Sequence, residues 1–164
     1  MIDRRQAVAT LLANRPDNLL VVPGLGSSTY DVGAAGDSPQ NFYLWGAMGG
    51  ALSIGLGLAL AQPSKRVLVI TGDGEMLMGI GALATISQKL PPNLAVVVLD
   101  NGHYGETGMQ RSHTSLGTDL VTVAQGCGFA DACRVTILAD ADSLGRRITA
   151  CAGPLFAQVP IDSA

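Results

Sequence analysis

At 164 residues the chain is long enough for one domain with a sizeable core, and a single domain is expected over residues 1–164. Only 14% of residues are charged, the formal net charge is −3 and no basic block occurs. That excludes a nucleic-acid surface and leaves a dry exterior suited to cover by partner chains. The three cysteines, Cys127, Cys133 and Cys151, form no CxxC pair and read as reduced core residues of a cytoplasmic protein, not as ligands or a disulfide framework.

Met1 to Arg5 leads into a short amphipathic segment with no signal-peptide pattern. Asp3 to Ala13 reads as a helix, with Asp3 as its N-cap and Asn14 near its end. Leu19 to Val22 is the first strand, running into Pro23-Gly24-Leu25-Gly26-Ser27-Ser28-Thr29. Glycine and hydroxyl residues after a strand can cradle phosphate through backbone N–H groups. An ordinary strand–helix turn capped by Ser27 or Ser28 explains the same residues. Asp31 to Gln40 is a polar connection.

No charge occurs from Ser38 to Ser64, so a membrane span has to be weighed. The five glycines of this run and its α/β setting argue against one. They favour a short strand or loop through Phe42 to Trp45, a glycine turn, and a helix from Gly49 to Ala61 buried on all sides. The small residues of that helix suit close packing against a neighbouring subunit.

Val67 to Ile70 and Leu94 to Leu99 read as buried parallel strands, joined by a helix from Met76 to Leu90 that Pro91 and Pro92 close. Gly102 to Thr118 is a long loop. Asp119 to Cys127 is a helix ended by Gly128, Cys133 to Leu138 a strand, Ser143 to Cys151 a helix, and Pro154 to Ile161 the last strand. About six strands alternating with helices predict a three-layer doubly wound α/β fold with a mostly parallel sheet.

Ligands of such sheets bind outside the carboxyl ends of the strands. The groups after the two central strands, Gly72-Asp73-Gly74-Glu75 and Asp100-Asn101-Gly102, should therefore share a crevice. A carboxylate and an amide there suit Mg2+, whose remaining positions phosphate oxygens and water would fill. Gly72 and Gly74 allow close backbone approach, and no Lys or Arg lies between Arg66 and Lys89 to hold an anion instead. Asp-Gly and Asn-Gly are also common turn pairs. GDG, twenty-five residues and then Asp100-Asn101-Gly102, with a strand before each, is more specific than either alone.

GDGE…DNGHYGETGMQ resembles the diphosphate-binding domain of thiamine diphosphate enzymes, with Asp100 where the first of two asparagines commonly stands. The resemblance spans about Leu19 to Pro160 and is strongest from Leu44 to Gln110. It implies Mg2+ on Asp73, Asn101 and the backbone carbonyl of His103. It implies thiamine diphosphate against Gly26, Ser27, Ser28, Gly72, Gly74, Glu75, Tyr104 and the N–H of Glu106. Met48, at 25 positions before Asp73, matches the large apolar residue that wedges between the cofactor rings in the decarboxylase branch. Gly46 would offer its carbonyl to the pyrimidine amine. A gap-filling core methionine is the alternative for Met48. Thr107 would face the substrate and His113 could reach it, although a polar loop histidine explains His113 as well.

The family activates its cofactor with a glutamate on a separate pyrimidine-binding domain. Only Glu75 and Glu106 occur here, and both belong to the diphosphate end. Within the family the chain looks most like the beta subunits or C-terminal parts of sulfopyruvate and phosphonopyruvate decarboxylases, and it reads as a natural subunit. The implied function is decarboxylation of a small 2-oxo acid together with a pyrimidine-domain alpha subunit, in a homodimer or larger assembly. A subunit of an acetolactate synthase-like carboligase or of a 2-oxo acid oxidoreductase, or a non-catalytic cofactor-binding subunit, stands as the alternative. A plain nucleotide-binding domain is disfavoured because no GxGxxG follows the first strand.

Overall fold

A computed structural model of the chain describes residues 1–150 and 152–162. Five parallel strands form its main sheet: β1 (Leu19–Pro23), β2 (Arg66–Gly72), β3 (Leu94–Asp100), β6 (Asp131–Arg134) and β7 (Leu155–Pro160). Their spatial order is β1-β2-β3-β7-β6. The expected sixth strand is reduced to an extended edge segment. Phe42 N–H donates to Val21 O and Leu44 N–H to Pro23 O, but only Asn41 forms a bridge, with Val21.

Side chains alternate across the central strands, and both faces are buried, which is why these strands read as unbroken apolar runs. Leu68, Ile70, Ala95, Val97, Leu155 and Ala157 pack against α1 (Arg4–Leu12), α2 (Ser27–Ala34) and α7 (Leu138–Ala150). Val67, Val69, Val96, Val98 and Phe156 pack on the other face against α3 (Ala51–Ala61), α5 (Ala82–Lys89) and α6 (Leu120–Cys127). The result is the three-layer α/β arrangement that the alternation predicts.

Several elements depart from expectation. The helix expected over Met76 to Leu90 is two, α4 (Asp73–Met78) and α5. The break at Gly79 follows from a backbone contact: a Cβ there would lie 2.1 Å from Gly49 O. Helix α2 occupies part of the expected connection, reaching Ala34. Strand β6 begins two residues early, at Asp131, and leaves the sheet after Arg134. Helix α7 begins at Leu138 instead of Ser143, because Ala141, Leu144 and Ile148 form its buried stripe. Its expected end, Cys151, lies outside the described residues. The loop after β3 holds a small hairpin, β4 (His103–Tyr104) against β5 (Gln110–Arg111). Helix α3 is not buried on all sides. Gly55 packs on Val69, while Ser53, Gly57 and Leu60 face outward. Cys127 and Cys133 are unpaired and half-buried, beside the core instead of within it. Among the described residues no helix is long and apolar enough to cross a membrane.

Candidate functional site

Gly72 pairs with Leu99, so the chain leaves β2 and β3 at the same level of the sheet edge. That register places Asp73 and Asn101 on one cavity of about 370 Å3. Gly26, Ser27, Ser28, Met48, Gly72, Asp73, Gly74, Glu75, Asn101, His103, Tyr104, Glu106 and Thr107 all line it. Gly46 does not, though Trp45 and Met48 near it in the chain do.

Asp73 is 2% exposed. Its Oδ2 accepts from the hydroxyls of Ser112 and, at 3.3 Å, Thr114. Thr114 also donates to Asp100 Oδ1 at 2.8 Å, and Asp100 is held from β7 by the Gln158 amide. Burial pushes the Asp73 carboxyl above the usual carboxylate range; the Ser112 hydroxyl opposes this, and the nearby charge of Asp100 adds to it. Asn101 Oδ1 accepts the His103 N–H at 3.0 Å, and the His103 ring meets Asn101 O at 2.8 Å. The imidazole is therefore half-buried against its own loop instead of free in solvent.

Of the two readings of His113, the structure favours the polar loop histidine. It opens a short 3-10 turn, is exposed and does not line the cavity. Its neighbours Ser112 and Thr114 turn inward to Asp73, and the intervening side chain lies outside. Glu75 Oε2 accepts from Leu25 N–H at 3.0 Å and from Thr71 Oγ1 at 2.8 Å, so the carboxylate clamps the loop after β1. Its Oε1 is buried without a hydrogen-bond partner among the described residues. Gly24 is small because Glu75 fills its space: a Cβ there would lie 1.8 Å from Oε2. The Tyr104 ring fills the space at Gly74, 2.7 Å from where a Cβ would stand. These glycines make room for side chains of the site's own wall, where sequence suggests room for a ligand.

Neither Ser27 nor Ser28 caps α2, whose first turn opens from Gly26 (φ 74°) with no side-chain hydrogen bond. Arg4, on the cavity wall, and Ser112 and Thr114, bonded to Asp73, are the residues that sequence reasoning misses. No spacing to the glycine motifs marks them, because they reach the site from other parts of the chain. Among the described residues no three His, Cys, Asp or Glu side chains gather as a metal cage. The donor set is one carboxylate, one amide and a backbone carbonyl. It fits an oxygen-seeking cation that takes its other ligands from phosphate and water.

Residues 24–159 match the family of thiamine pyrophosphate enzymes, C-terminal TPP binding domain. The chain is 40% identical over 162 residues to the sulfopyruvate decarboxylase subunit beta of Methanothermobacter thermautotrophicus, over 98% of this chain and 83% of that one. It is 39% identical over 158 residues to the phosphonopyruvate decarboxylase of Streptomyces viridochromogenes, covering 96% of this chain and 39% of that one. Among solved structures, benzoylformate decarboxylase from Polynucleobacter necessarius superposes with a TM-score of 0.86 at 20% identity, over 99% of this chain and 34% of that chain, a likeness of fold.

Proposed function

Since this chain belongs to the thiamine pyrophosphate enzyme family, matching its C-terminal TPP binding domain, we propose that it is the beta subunit of a two-subunit 2-oxo acid decarboxylase of the sulfopyruvate or phosphonopyruvate type. It depends on thiamine diphosphate and Mg2+ and works in the cytoplasm. The observation that carries the reading is the meeting of Asp73 and Asn101 at the ends of adjacent strands, on a cavity walled by the Gly26-Ser27-Ser28 turn. The relative that this chain spans over 83% of its length is named a subunit beta, which supports a separate partner chain.

When bound, thiamine diphosphate supplies the electron sink that lets CO2 leave a 2-oxo acid. Asp73, Asn101 and the His103 carbonyl would hold Mg2+, with the Asp73 carboxylate fixed by Ser112 and Thr114. Backbone groups around Ser27, Gly74 and Glu106 would hold the diphosphate. Met48, 44% exposed on the cavity wall, would support the cofactor rings, and Thr107 would face the substrate. Glu75 is engaged by Leu25 and Thr71, and Glu106 rests against Gly26. Neither is placed to serve the pyrimidine, so that proton partner would come from the alpha subunit.

Asp73→Ala tests the site. Calorimetry of thiamine diphosphate binding to the assembled enzyme, with and without Mg2+, should show the Mg2+-dependent component lost. Unchanged Mg2+-dependent binding would mean that the metal lies elsewhere.

A further inference from the structure

The cavity wall is acidic for a site that takes an anion: Asp73, Glu75 and Glu106 all line it. One Mg2+ leaves a diphosphate ester still negative, and three carboxylates repel what remains. A single Arg or Lys stands among the lining residues, and it belongs to neither glycine motif. It is Arg4, at the start of α1. The parallel bridge of Ile2 to Ile161 brings this end of α1 to the carboxyl edge of the sheet.

Arg4 is held from one side. Its Nε pairs with the carboxylate of Asp31 in α2, a side chain with no exposed surface. Arg5 stands on the same carboxylate at 3.7 Å and is itself largely exposed. Asp31 has no other polar partner among the described residues. A buried carboxylate is costly unless paired, but one arginine would suffice for that, and two leave the corner positive. No bond from the terminal nitrogens of Arg4 to another described residue accompanies the Asp31 pair. Asp31 lies one helical turn after Ser27, and Arg4 lines the same cavity as the uncapped first turn of α2. A planar guanidinium with free terminal nitrogens is the side chain suited to a tetrahedral oxyanion.

We propose that Arg4 is the oxyanion-binding cation of this cavity, positioned by Asp31, and that it takes the terminal phosphoryl group of the bound diphosphate. This rests on the thiamine diphosphate reading of the site.

The test compares thiamine diphosphate with thiamine monophosphate, each with Mg2+, by calorimetry on the assembled two-subunit enzyme. Arg4→Met should weaken the diphosphate about tenfold to a hundredfold, the range for a lost charge-assisted bond, and the monophosphate far less. The preference of the enzyme for the diphosphate should shrink accordingly. Arg4→Lys keeps the charge but not the fork; it should fall between wild type and Arg4→Met, and it carries the test if Arg4→Met does not fold. Arg5→Met, which removes a charge from the same carboxylate outside the cavity, should leave the preference intact. An unchanged preference in both Arg4 variants overturns the proposal. So does an unchanged preference with a raised KM for sulfopyruvate or phosphonopyruvate at saturating cofactor, which assigns Arg4 to the substrate headgroup. If the wild-type assembly binds neither cofactor form, the reading of the cavity itself fails.

Discussion

Asp73 has its pKa raised by burial, an effect that the Ser112 hydroxyl offsets only in part and to which Asp100 adds. An acid whose folded pKa is raised contributes stability below its unfolded value, and that contribution is lost as pH rises through the folded value. In the metal-free chain, kept in chelator, Asp73→Asn should therefore match wild type at pH below the ordinary aspartate range. It should become the more thermostable of the two as pH rises to neutrality, while Mg2+-dependent cofactor binding is lost. Thermal unfolding across pH measures this; an Asp73→Asn chain less stable than wild type at neutral pH would contradict it. Met48 tests the other end of the cavity. At 44% exposed it is not a core residue, so Met48→Ala should leave the fold and the diphosphate anchor intact. Proton–deuterium exchange at the thiazolium carbon should slow more than cofactor affinity falls. Exchange at the wild-type rate would show that Met48 does not shape the cofactor.

At the scale of elements, β1, β2, β3 and β7 are legible because apolar runs buried in the sheet leave little ambiguity, whereas the half-exposed β6 and the edge segment around Phe42 are not. The placement of Asp73 and Asn101 followed from the strands alone. What stayed hidden depends on contacts between distant segments. Nothing local splits the helix expected from Met76 to Leu90, since a glycine within a helical pattern only weakens it. The break becomes necessary only when Gly49 O arrives against Gly79. The two readings of His113 stay open in the sequence for a related reason: the direction of a loop side chain is decided by its neighbours, here Ser112 and Thr114, which bind Asp73. The Gly49–Gly79 contact makes its own prediction. Gly79→Ala sets a methyl against backbone that cannot rotate away, and should cost about 1–3 kcal/mol of stability in urea unfolding, as overpacking does. Because Gly49 follows Met48, the same variant should also slow exchange at the thiazolium carbon. A variant as stable as wild type would mean that the two glycines part freely.

At the scale of the molecule, exposed apolar side chains reach the rim of the cavity at Trp45. Trp45 lines the cavity and is 94% exposed; Phe42 is 57% exposed and Leu60, on the outer face of α3, 52%. An exposed tryptophan on the rim of the cavity suits cover by another chain. On the proposed two-subunit reading, with Glu75 held by Leu25 and Thr71 and Glu106 against Gly26, the group that exchanges a proton with the pyrimidine would belong to the covering chain. Loss of a positioned acid–base group costs about 10²–10⁴-fold in rate. The purified chain, given thiamine diphosphate and Mg2+, should therefore decarboxylate 2-oxo acids at no more than a small fraction of the rate reached when it is co-expressed with a pyrimidine-domain subunit. Trp45→Ala should weaken that assembly in analytical ultracentrifugation while leaving the thermal unfolding of the isolated chain near wild type. Robust turnover by the isolated chain, with no co-purifying protein by mass spectrometry, would refute the two-subunit reading and require an internal proton donor that Glu75 and Glu106 are not placed to supply.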